Sequence, residues 1–285
     1  MSRTAVSKEQ IVDYYDSARV DYRLFWNLGK SYAMHYGFWD DKVKSFPEAL
    51  ERENEVYAEM AGIRSTDLVL DAGCGVGGSS IFLARKLGCR AIGITLSRKQ
   101  AEAATENAKK SGVADRTEFH AMDFENMTFP DAKFDVVWAI SSICYADSKQ
   151  RFIEEAYRVL KPGGRLLVAD GFMAKDRYTD DEERILEKWR SGWAVCSLES
   201  AASFGTFLKN AGFHRVSYRD VTEHVMPSSR RMYRLACSFL VFGRVAEILR
   251  IRKRTQTGNI VASRYQYKIL RDGLCEYGVF YAEKA

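Results

Sequence analysis

One glycine-rich stretch of the sequence reads Val69-Leu-Asp-Ala-Gly-Cys-Gly-Val-Gly-Gly78. An apolar run ends here in glycines with GxGxxG spacing, at Gly73, Gly75 and Gly78, and a helical pattern follows. The spacing by itself also fits a merely tight turn. Between a strand and a helix, however, missing side chains let a ligand approach the backbone, and the N–H groups of the helix point at it. The stretch therefore predicts a site for a nucleotide-like ligand.

The sequence on both sides of this stretch alternates short apolar segments with longer helical patterns. Such alternation predicts a parallel sheet covered by helices, so we expect a doubly wound α/β fold of the Rossmann-like kind. The expected strands are 67–71, 90–95, 117–122, 134–140 and 165–170. A helix from about residue 147 should stop at Lys161-Pro-Gly-Gly164, because proline and glycine prevent its continuation.

Four units are expected along the chain. Residues 1–66 are typical of aromatic-rich helices that form an N-terminal lid, and residues 67–221 form the ligand-binding core. Residues 222–273 form a basic helical cap insertion, and residues 274–285 contain the last core strand. No repeat and no Pro/Gly/Ser-rich linker interrupts the sequence, so lid and cap should cover one core instead of forming a second domain.

Length and composition exclude several classes of protein. The 285 residues are 46% hydrophobic and 28% charged, which fits one large domain or a core with a cap. A formal charge of +5 is too small to indicate nucleic-acid binding. The longest apolar run, from Leu235 to Phe242, is far shorter than the roughly 20 residues of a bilayer span, and no secretory signal is evident. We expect a cytoplasmic protein that could lie at a membrane surface.

The cysteines and histidines do not predict a metal site. Six cysteines and four histidines are scattered along the chain, and none of them form a CxxC pair or a pair with zinc-ligand spacing. We expect reduced thiols that fill core positions and no metal ion.

Neighbouring residues narrow the choice of nucleotide. A dinucleotide site usually places an acid at the end of the second strand, to hold a ribose hydroxyl. That strand ends here in Gly93-Ile-Thr-Leu-Ser97, without an acid, which argues against a nicotinamide oxidoreductase. An acid instead lies before the glycines, at Asp71, where it could meet a cation or an amino group. Met122-Asp-Phe124 places an acid and a ring at the end of the third strand, which suits an adenine.

These motifs resemble the core of class I S-adenosylmethionine-dependent methyltransferases. Leu70-Asp-Ala-Gly-Cys-Gly75 is similar to their first motif, and Arg158-Val-Leu-Lys-Pro-Gly-Gly164 to the motif before their fifth strand. Gly93-Ile-Thr-Leu-Ser-Arg-Lys-Gln100 further resembles the branch that contains tocopherol, sterol and isoprenoid diphosphate methyltransferases and cyclopropane fatty-acid synthases. That branch commonly has Thr-Leu-Ser where other methyltransferases have an acid on the ribose.

The resemblance implies S-adenosylmethionine as cofactor and assigns residues to it. Asp71, Gly73 and Gly75 would surround its methionine part. Its ribose and adenine would be bordered by Thr95, Leu96 and Gln100. Asp123 and Phe124 would hold the adenine, and Ala139 on the fourth strand is assigned to the same site.

After the fourth strand the sequence departs from its relatives. They often have Trp-Ala-Ile-Glu-x-x-x-His, with the acid and the histidine facing the acceptor. Here the run is Trp138-Ala-Ile-Ser-Ser-Ile-Cys-Tyr145, so serine and tyrosine replace them. A serine is not a strong base at neutral pH, so an acid/base role must fall elsewhere or be unnecessary. The candidates near the acceptor are Tyr14, Tyr15, His35, Ser141 and Tyr145, the first three through a looser resemblance to the family's lid.

Positive charge is concentrated in one segment. From Ser228 to Arg271 there are eleven basic residues and one acid, Glu247, so the segment carries +10. It could be a solvated helical face. Alternatively, Arg230–Arg271 could meet an anionic membrane surface or a diphosphate group on the acceptor. Nucleic acid is disfavoured, because no nucleic-acid-binding module accompanies the charge.

The expected activity is methyl transfer to a small, mostly apolar acceptor such as an isoprenoid, a quinol, a sterol-like molecule or a related lipid. The Thr-Leu-Ser branch, the aromatic lid and the cap all suit an apolar cavity sealed from water. Methylation of carbon or oxygen is favoured. Two alternatives remain open: a non-catalytic or regulatory protein that binds S-adenosylmethionine, and an N-methyltransferase of a small amine. The sequence does not indicate an oligomeric state.

Overall fold

The computed structural model describes residues 6–25, 31–251 and 253–285. Its centre is a seven-stranded sheet in the order β3-β2-β1-β4-β5-β7-β6. The strands are β1 Leu68–Ala72, β2 Arg90–Thr95, β3 Thr117–Ala121, β4 Phe134–Ile140, β5 Leu160–Met173, β6 Phe213–Asp220 and β7 Cys275–Lys284. The first five are parallel, whereas β7 runs antiparallel to both of its neighbours. The predicted doubly wound α/β fold is confirmed.

The strand bounds differ from the prediction mainly at β5. We expected residues 165–170, but the strand begins at Leu160, directly after the helix that precedes it, and extends to Met173. Its second half pairs with β7 along nine residues, so the extension beyond Asp170 is stabilised by a partner far away in the sequence. At the other end, Leu160 pairs with Phe134 of β4. The strand order turns back between β1 and β4, and ligands of such sheets bind beyond the carboxyl ends of the strands at that point.

Helices cover both faces of the sheet. They are α1 Lys8–Phe25, α2 Phe46–Met60, α3 Gly78–Leu87, α4 Arg98–Lys110, α5 Lys149–Val159, α6 Asp180–Trp193, α7 Ala201–Asn210, α8 Thr222–Ile248 and α9 Arg254–Arg271. The first two precede the sheet, and α8 with α9 forms the helical insertion before the last strand. The division into units at 66, 221 and 273 stays a prediction. None of the helices in the described residues is long and apolar enough to cross a membrane.

Successive residues of the central strands point to opposite faces and so build two cores. Val69, Val136 and Trp138 belong to one core, which they share with the lid and the cap. Leu70 and Ala139 belong to the other, which is closed by α5 and α7. The lid and the cap therefore cover the same face of the sheet.

Candidate active site

A cleft opens where β1, β2 and β4 end. Its empty space, mouth included, is about 810 Å³. Seven of the predicted cofactor residues line it: Asp71, Gly73, Gly75, Thr95, Leu96, Gln100 and Phe124. The lid closes it from above with Ile11, Val12 and Tyr15.

The glycine turn packs too closely against its neighbours to carry side chains. Gly73 has φ +92°, and a Cβ built on it would lie 2.3 Å from the Cβ of Ser142. Gly75 has φ +54°, and its Cβ would lie 2.3 Å from the Cε of Met34. The turn leads into the N-terminus of α3, and no side chain among the described residues caps that end of the helix. Its first N–H groups are therefore available to a ligand with anionic or carbonyl oxygens.

Asp71 places a buried carboxylate at the floor of the cleft. It is 3% exposed, and its Oδ2 accepts a hydrogen bond of 2.6 Å from the Ser80 hydroxyl. Burial raises the pKa of Asp71 to about 6, although the Ser80 hydrogen bonds act against the rise. A positively charged ligand group beside this carboxylate would favour its ionised form.

The ribose-side residues are held by local hydrogen bonds. The Thr95 hydroxyl donates to Oε1 of Gln100 over 2.7 Å, and Ser97 caps α4 by accepting from the Gln100 N–H over 3.2 Å. Ser97 also donates to Oδ1 of Asp16 on α1 over 2.9 Å, which ties the lid to the end of β2. Asp16 could not be predicted from a local motif, because the contact joins segments 81 residues apart.

Two predicted cofactor residues do not line the cleft. Asp123 is engaged instead by Lys8 of the lid, whose ammonium pairs with its Oδ2, while its Oδ1 accepts the Glu125 N–H over 2.9 Å. The side chain of Ala139 is fully buried in the opposite core, because strand alternation turns it away. Its neighbours Ile140 and Ser141 reach the cleft.

A second cavity adjoins the first behind a shared wall. Five residues line both spaces: Tyr15, Met34, His35, Ser141 and Tyr145. Most of its other lining residues are aromatic or aliphatic, with Tyr36, Trp189, Trp193, Val195, Ile269, Leu270 and Tyr277 among them, and its polar members are Asp170, Gln266 and Glu276. Its empty space is about 630 Å³. We call this space the inner cavity.

His35 is the basic side chain of the shared wall, and it is buried. Its Nδ1 is hydrogen-bonded to Oε2 of Glu53, a fully buried carboxylate on α2 that also accepts the N–H of Gly37. The Asn54 amide lies 3.4 Å from Nε2. Glu53 went unnoticed in the sequence, where it lies on a helix rich in glutamates, and only its burial distinguishes it.

Of the remaining candidates for the acceptor site, Ser141 and Tyr145 belong to the shared wall, whereas Tyr14 does not. Ser141 lies 2.7 Å, oxygen to oxygen, from the hydroxyl of Tyr277, and burial raises the pKa of that phenol well above its usual value. Tyr145 packs edge-on against Tyr15, with ring centroids 5.4 Å apart. Tyr14 lines neither cavity, contrary to expectation. Its hydroxyl donates to Asn259 of α9 over 3.0 Å, so this ring joins lid to cap.

Comparison with known proteins identifies the family. A sequence profile of the methyltransferase domain matches residues 70–168. The chain is 36% identical over 197 residues to the 27-O-demethylrifamycin SV methyltransferase of Amycolatopsis mediterranei. The aligned region is 68% of this chain and 71% of that protein. The chain belongs to the class I S-adenosylmethionine-dependent methyltransferases. The predicted resemblance, the enzyme class and the cofactor are thereby confirmed.

Two further methyltransferase-fold relatives are similar. The sterol 24-C-methyltransferase of Eremothecium gossypii is 34% identical over 212 residues, which are 72% of this methyltransferase and 56% of that protein. The cyclopropane synthase MmaA2 of Mycobacterium tuberculosis superposes with a TM-score of 0.82 over 99% of this chain and 100% of that chain. Its identity is 16%, so this likeness shows the fold alone.

Proposed function

We propose that this methyltransferase transfers the methyl group of S-adenosylmethionine to a small, mostly apolar acceptor held in the inner cavity. The observation that carries the proposal is the wall common to both spaces. Tyr15, His35 and Tyr145 border the cleft on one side and the inner cavity on the other. An acceptor in the inner cavity would therefore meet the reacting end of the cofactor at this wall.

The cleft residues fit the cofactor. Gly73 and Gly75 present backbone without side chains to the cleft, and the buried Asp71 carboxylate suits a cationic amino group. Gln100, oriented by Thr95, and the ring of Phe124 suit a ribose and an adenine. Bound there, S-adenosylmethionine supplies an electrophilic sulfonium methyl group. The protein's own part is then to position the acceptor and to exclude water, which the lid favours.

The acceptor class is supported by the walls of the inner cavity. Apart from a few polar groups they are aromatic or aliphatic, and such surfaces favour apolar ligands. The two similar relatives are named for an oxygen of rifamycin and for carbon 24 of a sterol. Their names agree with O- or C-methylation.

A panel of acceptors tests this function. Wild-type protein would be incubated with methyl-labelled S-adenosylmethionine and, separately, a prenylated quinol, a sterol, geranyl diphosphate and sarcosine. We expect labelled product from one or more of the first three and none from sarcosine. Label only in sarcosine would favour the small-amine alternative. Cofactor binding without product from any member would favour the non-catalytic one.

We further propose that His35 removes a proton from the acceptor and that Glu53 positions it. The bond from Nδ1 to Glu53 fixes the ring, in the manner of a histidine oriented by a carboxylate. Nε2, whose long contact of 3.4 Å with the Asn54 amide a bound acceptor would replace, is then the nitrogen that takes the proton. This pair would supply the base that Ser141 and Tyr145 do not.

The positioning role predicts a specific pattern of kinetics. Glu53→Gln should lower kcat about 10- to 100-fold, shift the acidic limb of the pH–rate profile, and leave S-adenosylhomocysteine affinity within twofold. Glu59→Gln, on the same helix but exposed, is the matched control and should change neither. Activity of His35→Ala should rise on addition of imidazole. An unshifted pH profile in Glu53→Gln, with no imidazole rescue, would contradict the proposal.

The basic segment is proposed to serve a surface outside the cavities. Arg230, Arg231 and Arg264 line neither the cleft nor the inner cavity, so a diphosphate on a bound acceptor would not reach them. Arg231 instead lies over the ring of Phe46, 4.5 Å from its centroid. Arg252 and the side chain of Arg254 lie outside the described residues.

The surface that this segment offers is apolar as well as basic. Every exposed large hydrophobic side chain among the described residues lies between 239 and 251. Val241, Phe242, Val245 and Ile248 form what we call the apolar ridge, within an arc of about 120° on α8 at 3.6 residues per turn. Exposed Arg244 and Arg250 flank it. Positive charge beside exposed apolar side chains complements an anionic bilayer and opposes contact with a second copy.

Vesicle binding tests this surface. Wild type should sediment with phosphatidylcholine/phosphatidylglycerol vesicles. Two double variants, Phe242→Ser/Val245→Ser and Arg244→Gln/Arg250→Gln, should each bind these vesicles at least about tenfold more weakly. Lys109→Gln/Lys110→Gln removes the same charge from α4 and should bind like wild type. Wild type that stays in the supernatant would contradict the membrane role. So would a wild-type protein that binds no vesicles and forms a dimer which Phe242→Ser/Val245→Ser converts to a monomer.

A further inference from the structure

Ser141 has a backbone conformation that a serine rarely adopts. It directly follows β4, and its φ of +50° lies in the left-handed region. Its N–H donates to the carbonyl oxygen of Ala169 over 2.7 Å, so the neighbouring strand β5 holds it there. Strain of this kind persists where the surroundings fix it, and it is concentrated at functional positions. Ser141 is half-buried and lines both the cleft and the inner cavity.

The Ser141 hydroxyl receives a hydrogen bond from the buried phenol of Tyr277. The two oxygens are 2.7 Å apart, whereas the phenol lies 3.3 Å from the carbonyl oxygen of Ala169, which already accepts the Ser141 N–H. A phenol has one hydrogen, and 2.7 Å is the usual length of a bond between two hydroxyl groups. Because burial raises the pKa of Tyr277 well above its usual value, the phenol keeps this hydrogen at neutral pH.

This direction leaves the hydrogen of Ser141 itself for a ligand, since the hydroxyl has no second partner among the described residues. The bond from Tyr277 polarises the serine hydroxyl and makes it a better donor. No lysine or arginine of the described residues lines either cavity. Negative charge that develops on an acceptor at the shared wall would therefore depend on neutral donors such as Ser141 and on His35.

We propose that the acceptor reacts through an oxygen atom and that Ser141 donates a hydrogen bond to this oxygen. A carbon nucleophile has no lone pair to accept such a bond, so the contact selects a phenolic or other acidic hydroxyl group and favours O-methylation. The O–H proton goes to His35 and the oxygen bonds the methyl carbon, while the bond from that carbon to sulfur breaks and leaves its electron pair on sulfur. The inference rests on the proposed function of the inner cavity.

Ionisation of a bound phenol tests the donor without any methyl transfer. The phenol and phenolate forms of 4-nitrophenol differ in absorbance, so its titration can be followed on protein saturated with S-adenosylhomocysteine. A donor to the oxygen favours the phenolate. At a given pH, the ratio of bound phenolate to phenol should be about 3- to 10-fold lower in Ser141→Ala than in wild type. Tyr277→Phe should lower the ratio less. Tyr281→Phe, on the same strand but bonded to Glu283, is the matched control and should leave the ratio unchanged.

The position of the new methyl group gives a second readout. A prenylated quinol offers wild type hydroxyl oxygens, ring carbons and an alkene, and NMR of the labelled product should show a methyl ether alone. A C-methylated product would overturn the inference and leave the proposed function standing. An unchanged or raised phenolate ratio in Ser141→Ala, or a 4-nitrophenol spectrum that wild type does not alter, would also overturn it. If the ratio falls as expected but no apolar acceptor is methylated, the proposed function fails and the hydrogen bond from Ser141 stands.

Discussion

We expect Asp71 to make the cofactor cleft sensitive to pH. Burial raises its pKa from 3.8 to about 6, so the carboxyl takes up a proton as the pH falls through 6. We expect the affinity for S-adenosylmethionine to fall between pH 7 and pH 5, because the neutral carboxyl no longer attracts a cationic group. Calorimetry across this range measures the effect, and Asp71→Asn should bind more weakly with little pH dependence. An equally steep pH dependence in Asp71→Asn would exclude this residue as the cause.

The same shift has a consequence for stability. Because the folded carboxyl has the higher pKa, the folded protein binds more protons than the unfolded chain between pH 4 and pH 6. The contribution of Asp71 to the free energy of unfolding therefore decreases as the pH rises through this window. Chemical denaturation of wild type and Asp71→Asn at pH 4.5 and pH 7 should show the variant relatively more stable at the higher pH.

Alanine substitutions at Gly73 and Gly112 distinguish the cost of backbone strain from the cost of a steric collision. Gly73→Ala combines a φ of +92° with a Cβ 2.3 Å from that of Ser142, whereas Gly112→Ala meets only a φ of +69° in open space. We expect Gly112→Ala to lower the free energy of unfolding by about 1–2 kcal/mol and Gly73→Ala by a further 1–3 kcal/mol. Urea denaturation measures both values. Equal losses would show that the turn relaxes to accept a side chain.

At the scale of elements, the crossing of α6 and α9 controls the inner cavity but not the cleft. Gly192→Ala would push its Cβ against the carbonyl of Gly258 and should lower stability by about 1–3 kcal/mol. It should also weaken acceptor binding while the affinity for S-adenosylhomocysteine stays within twofold. Gly205→Ala on α7, whose Cβ meets nothing closer than 3.5 Å, is the control and should be neutral or stabilising. Loss of cofactor affinity in Gly192→Ala would contradict this division.

At the scale of the whole molecule, what the sequence predicted well was local. The glycine turn after β1 and the Thr95–Gln100 segment after β2 are contiguous motifs, and the structure brings both to one cleft. The first four strands agree with the prediction to within about two residues for the same reason. Each depends on a pattern that a short window of sequence contains.

What the sequence did not predict depends on contacts between distant segments. Asp123 forms an ion pair with Lys8, 115 residues earlier, and Tyr14 donates a hydrogen bond to Asn259, 245 residues later. Glu53 becomes special only when α2 buries it beside His35. The extension of β5 beyond Asp170 pairs with β7. For Asp123 and Tyr14 the residue type suited the predicted role, but tertiary packing gave each of them another partner.

The most direct test is to fill the inner cavity and leave the cleft intact. Val195 lines the inner cavity and not the cleft, so Val195→Phe should occupy acceptor space without touching the cofactor residues. With the apolar acceptor that wild type methylates best, we expect transfer of labelled methyl to fall at least tenfold in kcat/KM. The affinity for S-adenosylhomocysteine, measured by calorimetry, should stay within twofold of wild type. Undiminished methyl transfer by a folded, cofactor-binding Val195→Phe protein would contradict the claim that the acceptor reacts in this cavity.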